Sequence, residues 1–306
     1  MQWEKKGLIF KPVKEHWWMQ SHCQLPVALP IGENTYRIYF AARDERQYSH
    51  VGFFEIDIRD PHRVLRYSKE PVLLPGDIGY FDEHGVYPAS IISKNNQLYL
   101  YYIGWNKGCE PPLFYAAIGL AVSSDDGLTF RKYSRAPIFS RNEFSPCLVT
   151  APYVFPMHNG YAMLYTSGLK WERDDQGRLR SFYHLKYTES DDGISWQIRD
   201  TVAIDFCHSK ERDISRACVI KEQKVYKAWY AYNTVDTPYR IGYAESADAR
   251  QWKRLDHLAG IDVSPSGFDS DMICYPYVIK HADLYYMFYN GNRFGYDGIA
   301  LATAKA

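Results

Sequence analysis

Val149-Thr150-Ala151-Pro152-Tyr153-Val154 leads to Gly160-Tyr161-Ala162-Met163-Leu164-Tyr165-Thr166-Ser167-Gly168, then to Leu185-Lys186-Tyr187-Thr188, and then to Ser190-Asp191-Asp192-Gly193-Ile194-Ser195-Trp196. This run reads as three short apolar strands and a polar turn, with the closing aromatic opening a fourth strand. Asp-Gly supplies the backbone of a tight turn, and Ser190 and Asp192 are placed to hydrogen-bond it. The turn returns as Ser124-x-Asp126-Gly127-x-x-Phe130 and as Ser246-x-Asp248-Ala249-x-x-Trp252. The opening strand returns as Leu25-Pro26-Val27, Tyr87-Pro88-Ala89, Arg216-Ala217-Cys218 and Tyr275-Pro276-Tyr277. Its partner strands end at Phe40, Tyr102, Tyr165, Tyr230 and Tyr289, spaced by 62, 63, 65 and 59 residues. A fixed period of this kind marks one supersecondary unit used repeatedly.

Four antiparallel strands joined by turns make one propeller blade. The period predicts an all-β chain, a single five-bladed β-propeller over 1–306, with blades near 20–75, 80–140, 145–205, 212–262 and 268–306 plus 3–13. The last unit reaches only Ile299-Ala300-Leu301-Ala302, whereas Trp3–Phe10 is an unpaired strand at the other end. Pairing the two closes the ring and leaves no open edge. Helix is expected at most in short stretches near Lys11–Met19 and Ser209–Asp213.

Basic and acidic side chains balance at 36 each, so no net field draws the chain to nucleic acid or to an anionic membrane. No apolar run approaches the ~20 residues of a membrane span, and Met1–Lys6 lacks the apolar core of a secretory signal. The six cysteines show no Cys-x-x-Cys pair and no metal-ligand spacing, which points to a reduced, cytoplasmic protein with no metal and no cofactor.

In a propeller the innermost strands line an axial channel, and the loops before them converge at one mouth, the default ligand site. Asp82, Glu83 and His84 precede the second such strand, where crowded titratable groups can split acid and base roles. Asp213 and Arg216 belong to the fourth, and a buried arginine there calls for an acidic partner or an anionic ligand. Asp271, Asn290 and Arg293 belong to the fifth, where acids and amides suit sugar diols. His22, Tyr87 and Tyr275 complete the set, the tyrosines as stacking surfaces for sugar rings. The polar insertion Trp171–Arg178 is long enough to form a flap over the mouth.

The Ala151-Pro152 strand, its aromatic partner and the Ser-x-Asp-Gly-x-x-Trp turns resemble the five-bladed propeller glycosidases: the arabinanase, levansucrase and invertase superfamily, with the mannoside phosphorylases among its relatives. The resemblance spans nearly the whole chain and implies a sugar-handling enzyme with a small-molecule or oligosaccharide substrate. It also implies an acid just before the first proline and another two residues before the third. Those positions hold Leu25 and Thr150, and Val86 and Tyr87 stand before the second proline. The carboxylate pair of ordinary glycoside hydrolysis is therefore missing from its places. Arg43-Asp44-Glu45-Arg46 resembles the basic stretch with which the phosphorylases hold phosphate. The expectation is an enzyme acting on a glycosidic or sugar-phosphate bond of an anionic sugar, with Glu83, Asp213 and Asp271 as candidate catalytic groups. His22, Arg43, Asp82, His84, Tyr87, Thr150, Arg216, Tyr275, Asn290 and Arg293 are the candidate binding groups. The alternative is a carbohydrate-binding propeller that has lost its acids; a sialidase-like enzyme fits less well, because those propellers usually have six blades.

Overall fold

The computed structural model describes residues 1–306 and is almost entirely β. After β1 (Glu4–Phe10) come β2 (Ser21–Pro30), β3 (Thr35–Arg43), β4 (Ser49–Asp57) and β5 (Asp60–Tyr67), an antiparallel meander. A second meander follows, β6 (Gly85–Lys94), β7 (Gln97–Lys107), β8 (Phe114–Ser123) and β9 (Arg131–Lys132). The next is β10 (Leu148–Pro156), β11 (Tyr161–Arg173), β12 (Leu179–Ser190) and β13 (Val202–Ile204). Then come β14 (Glu211–Glu222), β15 (Val225–Thr234), β16 (Arg240–Ser246) and β17 (Lys253–Arg254). The chain ends with β18 (Cys274–His281), β19 (Leu284–Asn290) and β20 (Ile299–Lys305), and β1 pairs antiparallel with β20 as the fourth strand of that sheet. Single parallel bridges, Ser49 to Gly85 and Tyr183 to Asp213, join two pairs of neighbouring meanders. The leading strands form a closed circuit: β2 packs on β6, β6 on β10, β10 on β14, β14 on β18, and β18 on β2.

The second strands are buried on both faces, which is why their sequences run apolar without alternation, whereas β5 at an outer edge is mostly exposed. The periodic aromatics have a definite job. Phe40, Tyr102 and Tyr230 sit directly across from Gly52, Gly119 and Gly242 on the third strands. A Cβ on Gly119 would lie 2.2 Å from the Tyr102 ring, so only glycine leaves room for the aromatic to lie flat. The tyrosine hydroxyls then reach carboxylates, two of them buried: Tyr102 donates to Asp82 at 3.0 Å, Tyr289 to Asp269 at 2.9 Å, and Tyr230 to the half-buried Asp256. Lys132, Lys5 and Arg254 neutralise these three acids.

The polar turns form as read, with one shift. Ser190 and Ser246 donate to Asp192 and Asp248 and accept from the backbone of Gly193 and Ala249. In the second meander the working pair is Ser123 and Asp125, not Ser124 and Asp126, because one extra residue is accommodated by positive φ at both Asp126 and Gly127. Neither stretch expected to admit helix forms one: Lys11–Met19 is turn and coil, and the Ser209–Asp213 stretch runs into β14. The six cysteines are all free thiols, and no helix is long and apolar enough to cross a membrane.

Candidate active site

The proline motif builds a bulge. Leu25, Ala151, Arg216 and Tyr275, each just ahead of the motif's proline or its Ala217 counterpart, have φ of 54°, 47°, 59° and 55°. The strand ladder slips at each. Positive φ is uncommon for such residues, and a bulge re-aims a side chain. Here it aims inward. Leu25, Ala89 and Ala151 meet Ile103, Ala116 and Leu148 in a buried apolar cluster at the centre of the ring. Arg216, only 1% exposed, reaches from β14 to two other leading strands, donating to Pro88 O at 3.0 Å and Pro26 O at 2.9 Å. It has no carboxylate partner, and burial lowers its pKa to about 10, which leaves it charged at neutral pH. The acidic partner or anionic ligand expected for Arg216 is therefore replaced by backbone carbonyls that hold its guanidinium.

Asp213 opens outward from that plug, at the N-terminal end of β14. It is 4% exposed, accepts from Ser181 Oγ at 2.9 Å on one oxygen and from Asn233 Nδ2 at 2.9 Å on the other, and has Arg212 at 3.8 Å. Burial raises its carboxyl to about 6, against the opposing pull of Asn233, Arg212, Ser181 and Arg180. Tyr183, Tyr239, Phe294 and Tyr275 form an aromatic wall beside it. The Tyr183 and Tyr239 hydroxyls bond each other, Phe294 touches Tyr239 at 5.9 Å between centroids, and Phe294 stacks on Tyr275 at 6.1 Å. Past Tyr275 lies Arg43, which donates to Tyr87 Oη at 3.0 Å and to Gln24 at 3.3 Å and has no acidic partner. His22 stands between the charges of Arg43 and Arg293; burial first, then those two cations, lower its pKa to about 4, so it is neutral.

The structure thus brings together Asp213, Arg43, His22, Tyr87 and Tyr275, and gives the other expected groups different settings. Asp82 is fully buried, held by Tyr102 and by Lys132 at 2.5 Å, and supports its own meander. Glu83 accepts from Gly79 N at 2.9 Å and caps its own loop, while His84 packs edge-on against Tyr48. Asn290 is fully buried and clamps the last unit to the first, accepting from Leu25 N and donating to Cys23 O and Gly298 O. Asp271 is exposed, and its nearest bonds are backbone ones to Asn292 and Arg240. Thr150 is half-buried beside Ala151, and Arg293 lies over Tyr296 at 3.8 Å. The insertion forms a hairpin. Leu148 at the start of β10 pairs with Gly168, so residues 169–182 project past it, Trp171 packs on Phe114, and Arg173 pairs with Glu110 at 2.6 Å.

Ser181, Asn233, Tyr239 and Phe294 escaped the sequence reading. One signal was present: Arg43 and Asn233 both lie three residues after the periodic aromatic of the second strand, Phe40 and Tyr230. The nearest approach to a metal-ligand set is Cys207, His208 and Glu211, whose donor atoms lie within 4.8 Å of one another. Arg254 occupies both Glu211 oxygens at 2.7 Å, so that carboxylate is already committed.

Solved structures place this architecture in a known class. A glycoside hydrolase superposes with a TM-score of 0.76 at 19% identity, over 99% of this chain and 91% of the other. The β-1,2-mannobiose phosphorylase of Listeria innocua, solved with β-1,2-mannobiose, gives 0.72 at 14% identity over 100% and 97%. These likenesses show the fold: the chain has the propeller architecture of those glycoside hydrolases and phosphorylases. It belongs to one family with two Mycobacterium tuberculosis proteins, uncharacterized protein MT1551 of strain CDC 1551 / Oshkosh and uncharacterized protein Rv1502 of strain H37Rv. Each is 36% identical over 305 residues, spanning 100% of both chains. A β-1,2-mannobiose phosphorylase from Thermoanaerobacter sp. is 29% identical over 119 residues, 36% of this chain and 39% of its own. No family model matches the sequence.

Proposed function

We propose that this chain is a carbohydrate-active enzyme, a single five-bladed propeller over 1–306, that cleaves or forms a glycosidic bond with an anionic group, phosphate or a phosphorylated sugar, as one reactant. The observation that carries this reading is one buried carboxylate, Asp213, at one end of the Tyr239–Tyr275 wall, with Arg43, a guanidinium that has no acid of its own, at the other. Hydrolysis by two facing carboxylates needs a second acid. Glu211, the nearest along the strand, is closed off by Arg254. With one acid, the attacking group must carry its own nucleophilic oxygen. In this scheme protonated Asp213 gives its proton to the glycosidic oxygen as the bond to the anomeric carbon breaks. A phosphate oxygen steered by Arg43 forms the new bond to that carbon, yielding a free sugar hydroxyl and a sugar phosphate. A pKa near 6 suits a proton donor working close to neutrality. Tyr87, Tyr275 and Phe294 offer faces for sugar rings.

The test is incubation with inorganic phosphate and a panel of disaccharides that includes β-1,2-mannobiose, with ³¹P NMR reporting sugar phosphate. Asp213→Asn is expected to lower turnover by about 100-fold or more, and Arg43→Met to raise KM for phosphate. Undiminished turnover in Asp213→Asn removes Asp213 from the acid role. A second reading, a carbohydrate-binding propeller without catalysis, is favoured by Leu25 and Thr150 standing where relatives keep their acids; thermal stabilisation by a glycan with no turnover of the panel decides for it.

A further inference from the structure

Asp213 is built from three separate pieces of chain, and one of them is the projecting hairpin. Ser181 lies on β12 within the part of the hairpin that runs past the start of β10, two residues before Tyr183, whose backbone bridges to Asp213. Its hydroxyl meets Asp213 Oδ1 at 2.9 Å, while Asn233 from β15 holds Oδ2 at 2.9 Å. The same hairpin is tied to the neighbouring meander by Arg173–Glu110 and by Trp171 on Phe114. Its turn is locked by Asp174, which accepts from the backbone of Gln176 and Arg178 and pairs with both Arg178 and Arg180. The hairpin is therefore a rigid arm whose base ends on the carboxylate.

We infer that Ser181 is a positioning residue that sets the proton affinity and orientation of Asp213, so that the projecting hairpin also tunes the acid at its base. The inference rests on the reading of Asp213 as the proton donor. A hydroxyl that donates to a carboxylate favours its ionised form, and the Ser181 hydroxyl, which also faces Tyr183, is the group that holds Oδ1. The other groups facing Asp213 are Arg180 and Tyr183 on β12, Arg212 on its own strand, and Tyr239 on the connection from β15 to β16. None of these donates to the Oδ1 atom that Ser181 holds. Loss of the serine hydroxyl strips that oxygen of its only donor and leaves the arginines and Asn233 in place.

The experiment is a pH titration of the Asp213 ¹³Cγ resonance in the full-length protein, assigned by its disappearance in Asp213→Asn. It needs no substrate. The wild-type midpoint is expected near 6. Ser181→Ala should move it up by about one pH unit, the worth of one hydrogen bond to a charged group. Ser181→Thr, which keeps the donor, should restore it. An unmoved midpoint in Ser181→Ala overturns the inference and reduces Ser181 to packing. The proposed catalysis fails separately: if Ser181→Ala shifts the midpoint but Asp213→Asn still releases sugar phosphate at the wild-type rate, the coupling stands and the acid assignment falls.

Discussion

At the scale of single residues, Asp213 carries a cost that the rest of the fold bears. Its carboxyl rises from 3.8 to about 6 because burial disfavours the charge more than Ser181, Asn233 and the arginines favour it. The folded state thus holds the proton more tightly than the unfolded chain. Between about pH 4 and pH 6 the folded protein binds more protons, so stability falls as pH rises and the cost is complete above 6. Wild type should lose about 2 kcal/mol relative to Asp213→Asn between pH 4 and pH 7, as read by urea denaturation at both pH values. Parallel pH dependence of the two proteins would show that the carboxylate is better solvated than its burial implies. Asp82 shows why such distinctions were not legible in the sequence. Both acids lie near the start of a leading strand, but Asp82 turns toward a tyrosine and a lysine from its own meander, and Asp213 turns toward a serine from the preceding one. Proximity along the chain does not say which way a carboxylate points.

At the scale of elements, the repeat was readable because several copies solve the same local problem in the same way. A glycine-backed aromatic fills the second strand, and a serine–aspartate turn closes the third. The register of the turn in the second meander was not readable, since Ser123-Ser124-Asp125-Asp126 offers both residues twice. Asp125 accepts from Ser123 Oγ at 2.6 Å and from Thr129 N at 3.0 Å, whereas Asp126 occupies positive φ. Asp125→Ala should cost about 1–2 kcal/mol. Asp126→Asn, a residue that tolerates this backbone, should be nearly neutral. Chemical denaturation of the two variants decides the assignment; equal losses would contradict it. The clamp at Asn290 was hidden for a similar reason: Asn290-Gly291 reads as a turn, yet the amide spans three backbone groups of separate segments.

At the scale of the whole molecule, the first strand binds the ring shut. Phe10 stacks on Phe54 at 4.3 Å and lies 5.1 Å from Phe40, joining the sheet of β18–β20 to that of β2–β4, while Trp3 packs on Trp229 and Tyr285 at its other end. Phe10→Ala should cost about 3–5 kcal/mol, read as a lower denaturation midpoint with the transition still single. A change of less than 1 kcal/mol would mean that closure rests elsewhere. The plug formed by Arg216 and the apolar ring around Leu25 and Ala151 has a consequence for traffic. The axis is a cul-de-sac: nothing threads through it, so arrivals and departures share one doorway.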